Sequence, residues 1–246
     1  MVWRSTVVLF LLWLAAAPVL LHAQGGSESD STALNEGQMA LQSGRFDDAI
    51  EIFSHLIAIA PTAESYYLRG TAYQAKHRYR LAITDLDKAV ALDPNNPTFR
   101  MQKGLSLLSA GNFAKAIPDF AAVLSVEPGN AGALIGRARA LFHLNRHKEA
   151  LGDLDAAIAQ ERDNALLYRL KGDVLSSSGS YEEAVKAYDK AIELTPNYAV
   201  AYNNRGTALA HLGRNREAVS DYNKAMSIAM TTPSQVEIPG LGGNAW

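Results

Sequence analysis

The chain has 246 residues, 20% of them charged and 48% hydrophobic, with a formal net charge of −2 and no cysteine. That balance belongs to a folded chain and not to a disordered one. The near-neutral charge lacks the basic footprint of a nucleic-acid binder or a polybasic membrane patch, and the missing cysteines exclude disulfides, thiolate zinc sites and catalytic thiols.

The first element is "MVWRSTVVLFLLWLAAAPVLLHAQ". Arg4 precedes an apolar run from about Val7 to Leu21, broken by Pro18, and small Ala23 stands before polar Gln24. Charged, apolar, helix-breaking and cleavable, in that order, predicts a signal peptide over 1–23, although Leu21 is larger than the residue preferred two positions before the cut. The expected location is therefore exported, periplasmic or secreted. Left uncleaved, the run is near the lower length limit for a span and would anchor the chain in a membrane. Residues 24–29 read as a polar linker.

From 30 to 232 the chain repeats itself six times, over 30–62, 63–96, 97–130, 131–164, 165–198 and 199–232. The first step is 33 residues and the others are 34. One small-residue slot holds Gly37, Gly70, Gly104, Ala138, Gly172 and Gly206. A later one holds Ala49, Ala82, Ala116, Ala150, Ala184 and Ala218. Beyond it come large residues, Phe53, Leu86, Phe120, Leu154, Tyr188 and Tyr222. Within each copy the apolar residues fall three and four apart, the helical period. Gly44, His77, Gly111, Asn145, Gly179 and Gly213 break each copy in two, at a position suited to a left-handed helix cap. Pro61, Pro94, Pro128 and Pro196 close the unit. Each copy is thus helix, tight turn, helix. Pro118 falls inside a second helix and is expected to kink it.

These slots resemble the tetratricopeptide repeat: a large residue, Gly, an aromatic or Leu, Ala, an aromatic, Ala and Pro. The resemblance implies an all-α, right-handed superhelical α-solenoid of helix-turn-helix repeats. The fourth copy departs from the pattern at Ala138 and Arg162, and the sixth at Met230. The pairs Arg69 and Asp85, Lys103 and Asp119, Arg137 and Asp153, and Arg205 and Asp221 recur in equivalent slots and read as ion pairs between the two helices of a copy. Lys171 faces Ala187 in that register, which leaves it available to a ligand or a neighbouring repeat.

In a solenoid of this kind the first helices line the inner face. The family's geometry places there a peptide-binding groove made of Tyr67, Met101, Leu105, Leu108, Ile135, Arg139, Phe142, Arg169 and Asn203, apolar at its centre and edged by Arg139 and Arg169. Family members that hold a chaperone tail do so with Lys and Asn on one repeat, Asn on the next, and Lys and Arg on the third. No three consecutive copies supply that set here. The last helix carries Tyr222, Met226 and Met230, a face that family members usually cover with an extra helix. The tail 233–246 has two prolines and three glycines but also Val236, Ile238, Leu241 and Trp246, and can fold back on that face or leave it to a partner or a second copy.

Signals for chemistry are sparse. His143 and His147 stand four apart, a metal-ligand spacing on one helix, but the break at Asn145 separates them. His211 shares the slot of His143 two copies on, too far for a common ion when helices lie roughly 8–10 Å apart. The histidines read as ordinary surface residues. There is no Gly-rich phosphate loop, no Ser/His/Asp arrangement and no cofactor motif. The expectation is a non-catalytic scaffold with proteins or peptides as partners, no nucleic acid and no small-molecule substrate, with self-association possible. The alternative is an accessory subunit of a cell-envelope enzyme or secretion complex, docked through its C-terminal face.

Overall fold

The computed structural model describes residues 28–231, with side chains from 31. The leader read at 1–23, all but the last two residues of the linker, and the tail 233–246 lie outside them. Among the described residues there are twelve α-helices and no strand. The first helices of the six repeats are α1 (Glu28–Gln42), α3 (Ala63–Ala75), α5 (Pro97–Ser109), α7 (Ala131–His143), α9 (Ala165–Ser177) and α11 (Ala199–His211). The second helices are α2 (Phe46–Ile59), α4 (Tyr79–Leu92), α6 (Phe113–Val126), α8 (His147–Gln160), α10 (Tyr181–Leu194) and α12 (Asn215–Thr231). Helix packs on helix in chain order, and each first helix also meets the first helix of a neighbouring repeat along most of the stack. This is the all-α solenoid that the resemblance to the tetratricopeptide repeat implies. The first repeat starts slightly early, because Glu28 and Ser29 of the expected linker already belong to α1.

Small slots and large slots meet. The alanines at 49, 82, 116, 150 and 184 have no exposed surface, and neither do Phe53, Leu86, Phe120 and Leu154. A methyl group built on Gly37 would lie 2.6 Å from Phe53, on Gly104 2.8 Å from Phe120, and on Gly172 2.5 Å from Tyr188. Glycine is therefore the residue that lets the ring of the second helix rest on the backbone of the first. Gly136 does the same from the next repeat, 2.5 Å from Phe120, so one ring is seated between two first helices. The fourth repeat tolerates Ala138 because its partner there is the smaller Leu154; both are fully buried.

All six breaks adopt the left-handed conformation, with φ of 74° to 82° at the four glycines, 56° at His77 and 57° at Asn145. The first helices are capped by side chains in one slot: Thr62 accepts from the Ser65 amide, Asn96 from Thr98 and Phe99, Asn130 from Ala133, and Asn164 from Leu166. Pro118 lies inside α6 without ending it. Helix α6 runs through it over the same 14 residues as α4 and α8, since a proline on the exposed side leaves the buried stripe in place. Where the closing proline is replaced by Met230, the helix does not stop; α12 runs for 17 residues and carries Met230 in its last turn.

Candidate functional site

The inner face is built from one stripe on each first helix. By the family's geometry its expected members, in chain order, are Leu34, Gln38 and Leu41; Tyr67, Thr71 and Gln74; Met101, Leu105 and Leu108; Ile135, Arg139 and Phe142; Arg169, Asp173 and Ser176; and Asn203, Thr207 and Ala210. Contacts between successive first helices run through it. Gln38 donates to Glu64 at 3.3 Å. The Gln74 amide oxygen accepts from Gln102 at 2.7 Å and Ser106 at 2.6 Å. Tyr67 lies against Phe99 with ring centroids 5.0 Å apart. The Met101 methyl reaches α7, where a methyl group on Gly132 would come within 2.8 Å of it.

The central positions of the stripe, on α5 and α7, are mostly apolar. Met101, Leu105, Ile135 and Phe142 are half-buried and pack on the main core cluster. Leu108 is not a lining residue: it is 6% exposed and part of that core. Tyr67 is half-buried at one end of the stripe, and Asn203 is exposed at the other.

The two arginines expected to edge the groove differ completely. Arg169 is 8% exposed. Its Nη1 donates to Asp173, and its Nε donates to the Tyr198 hydroxyl at 2.8 Å. Asp173 also accepts from the Tyr188 hydroxyl and from Asn204 Nδ2, both at 2.8 Å. Burial first, then the neighbouring Asp173 carboxylate, push the Tyr188 phenol far above its usual range, so it stays a proton donor. Arg169 is thus the anchor of a closed polar network between the fifth and sixth repeats. Tyr198 occupies the slot in which the earlier repeats place a capping Thr or Asn and makes no cap itself. Arg139, in contrast, is half-buried on α7, with its Nε shut off from solvent and without an acceptor. Loss of hydration pushes its guanidinium below its usual value.

The opposite face carries the ion pairs. Arg69 meets Asp85 through two hydrogen bonds of 2.7 and 2.9 Å. Arg137 meets Asp153 at 2.8 and 2.6 Å, Arg205 meets Asp221 at 2.8 and 2.7 Å, and Lys103 lies 3.4 Å from Asp119. A second set joins consecutive repeats: Lys103 to Asp87 at 2.9 Å, Lys171 to Asp155 at 2.6 Å, and Arg205 to Asp189 at 2.5 Å. Lys171 thus meets a neighbouring repeat, one of the two roles expected of it. Its acid is supplied by the preceding repeat, 16 residues back in sequence. Burial raises the Asp119 carboxyl against the pull of Lys103 and Arg100.

Histidines that read as surface residues prove to be packing elements. His143 closes α7 and stacks on Phe113 of the preceding repeat, 4.1 Å between centroids; His211 stacks on Tyr181 in the same way at 4.4 Å. His147 opens α8, and both it and His143 meet the Phe142 ring edge-on, at 6.0 and 5.5 Å. They share a ring although not a helix.

At the end of the stack Val219, Met226 and Met230 are 57%, 57% and 73% exposed and lie on one side of α12. Tyr222 is half-buried, its hydroxyl 3.3 Å from Thr207, and Ile228 faces inward. Of the residues expected on the C-terminal face, Met226 and Met230 are exposed and Tyr222 is half-buried.

Four segments match models of tetratricopeptide repeats: 63–96, 107–174, 172–213 and 199–229. Bacteriophage adsorption protein A of Escherichia coli (strain K12) is 33% identical over 72 residues, which are 29% of this chain and 7% of that protein. The Hsp70-Hsp90 organizing protein of Triticum aestivum is 37% identical over 78 residues, 31% of this chain and 13% of that one. The chain thus spans a small fraction of either relative. Among solved structures, MamA superposes with a TM-score of 0.62 at 27% identity, over 67% of this chain and 96% of its own.

Proposed function

Because the chain belongs to the tetratricopeptide repeat family, we propose that it is a non-catalytic scaffold whose inner face holds an extended or helical segment of another protein in an exported compartment. The observation that carries this reading is the strip of Met101, Leu105, Ile135 and Phe142. These side chains stay partly exposed on adjacent first helices, while equivalent positions in the outer repeats are mostly polar: Gln38, Thr71, Asp173 and Thr207. An apolar strip within a polar rim suits a peptide anchored by a few side chains. The export half of the proposal rests on the order of charge, apolar run and small residues in 1–23.

The test is a pull-down from the chain's own host with the full chain and a Phe142→Ala/Arg139→Ala variant, the captured proteins being identified by mass spectrometry. The expected result is a partner present with the first and absent with the second, at equal helicity by circular dichroism. A partner retained by the variant sinks the groove. N-terminal sequencing of the protein from fractionated host cells tests export: a chain beginning at Gln24 outside the cytoplasm is expected, and an intact Met1 in the cytoplasm ends that part.

The exposed Val219, Met226 and Met230 favour a second reading, an accessory subunit docked through the end of the stack. A Met226→Gln/Met230→Gln variant should then lose the partner, or a second copy by light scattering, while the groove variant keeps it.

A further inference from the structure

The cations that are tied into the body of the solenoid meet carboxylates. Arg69, Arg100, Lys103, Arg137, Arg169, Lys171 and Arg205 each lie within 3.4 Å of an Asp. Arg139 has no such partner among the described residues, and its buried Nε has no acceptor of any kind. The equivalent position one repeat earlier is Leu105. One repeat later it is Asp173, whose oxygens are already taken by Arg169, Tyr188 and Asn204.

A half-buried guanidinium remains charged at every physiological pH. Its Nε has lost hydration without gaining an acceptor, which costs the free chain stability. The group missing from this arrangement is an anion delivered from outside, onto a surface whose nearest stripe members are Ile135, Phe142 and Leu105. A phosphate with nearly two charges calls for a second cation, and the stripe positions beside Arg139 on α5 and α7 are all apolar. A carboxylate has the matching single charge and the geometry for a forked pair.

We propose that the inner face takes an acidic segment of a partner protein, in which one Glu or Asp between apolar residues gives its carboxylate to Arg139. This rests on the inner face being the partner surface, as argued above. The apolar neighbours then exclude water from the pair, and the carboxylate meets the guanidinium from its solvent-facing side, since Nε itself is shut off from solvent.

The probe is a pair of displayed peptide libraries with identical randomised apolar positions, one with a fixed central Glu and the other with Gln, panned on the full chain. The Glu library is expected to yield binders and the Gln library none. A selected Glu peptide should lose roughly tenfold or more in affinity on Arg139→Met, as hydrogen bonds to charged groups do. The same peptide with Glu→Gln should lose about as much on the native chain, and the two changes together little more than either alone. Without peptide, Arg139→Met should melt above the native chain, which separates lost recognition from lost fold. Gln-library binders that weaken on Phe142→Ala but not on Arg139→Met overturn the acidic inference and leave the inner face standing. So does a melting temperature that falls on Arg139→Met. No binder from either library overturns both readings.

Discussion

Gly172 has no room for a methyl group, because Tyr188 Cε1 would lie 2.5 Å from it. Helix propensity alone makes Gly172→Ala favourable by about 1 kcal/mol, whereas overpacking a filled core costs about 1–3 kcal/mol. Tyr188 is also held by Asp173 and is 1% exposed, so it cannot swing away. We expect Gly172→Ala to lower the urea midpoint, and an unchanged or raised midpoint would refute the close approach. The left-handed breaks make the opposite prediction. His77 and Asn145 do at φ 56° and 57° what glycine does in the other four repeats. His77→Gly should stabilise by up to about 1 kcal/mol, the relief of a left-handed side chain partly offset by unfolded-state entropy. It forfeits an exposed contact of His77 Nδ1 with the Tyr79 hydroxyl and the edge-on packing of the two rings. A loss of stability in urea would show that this contact outweighs the backbone.

At the scale of elements, Arg205 links three helices, with Asp221 on α12 and Asp189 on α10. Asp221 is 6% exposed, whereas the Asp189 side chain is 52% exposed. Removing the buried acid strands a partly buried cation, and removing the exposed one does not. Asp221→Ala should therefore cost about 1–3 kcal/mol and Asp189→Ala under about 1 kcal/mol; equal costs by denaturation would contradict this ordering. Helices, breaks and the pairs within a repeat were legible in the sequence because each is fixed by a residue's place in a strict period. The bonds between repeats were not, because they depend on which side chains two neighbouring copies happen to carry. Lys171 shows this: of the two roles open to it, a ligand or a neighbouring repeat, it takes the second, and its partner Asp155 lies behind it in sequence and not in its own repeat. Arg169 and Arg139 hold slots four positions apart in their helices, and only the three-dimensional surroundings reveal that one is buried in a network and the other has no acceptor. The same applies to Leu108 and Phe142, which share a slot but differ in burial.

Across the whole molecule the apolar core is not uniform. One cluster runs from Leu107 to Val174, through the third, fourth and fifth repeats, while smaller clusters serve each end. A stack of this kind gains stability from each repeat and each interface and loses it from the ends inward. Amide exchange should therefore be slowest in α6, α7 and α8 and fastest in α1 and α12. Leu154→Ala, at a fully buried centre, should cost about 2–5 kcal/mol and speed exchange in the middle repeats first. Uniform acceleration along the chain would mean that the six repeats unfold as one unit. The central strip of the candidate groove lies over this most protected region, so its shape is held by the firmest part of the fold.

The rings and leucines that rest on the first helices have a consequence for how such a protein can change its partner. Phe53, Leu86, Phe120, Leu154, Tyr188 and Tyr222 act as spacers of unequal bulk, and five of them, Tyr188, Phe53, Phe120, Leu86 and Leu154, are sealed from solvent. Enlarging or trimming one would tilt the helices on either side and so alter the bend of the entire array. The calibre of the concave surface is thus heritable at positions that no visiting protein can reach, and selection for a new companion can proceed by regauging these spacers while every residue in the groove stays the same.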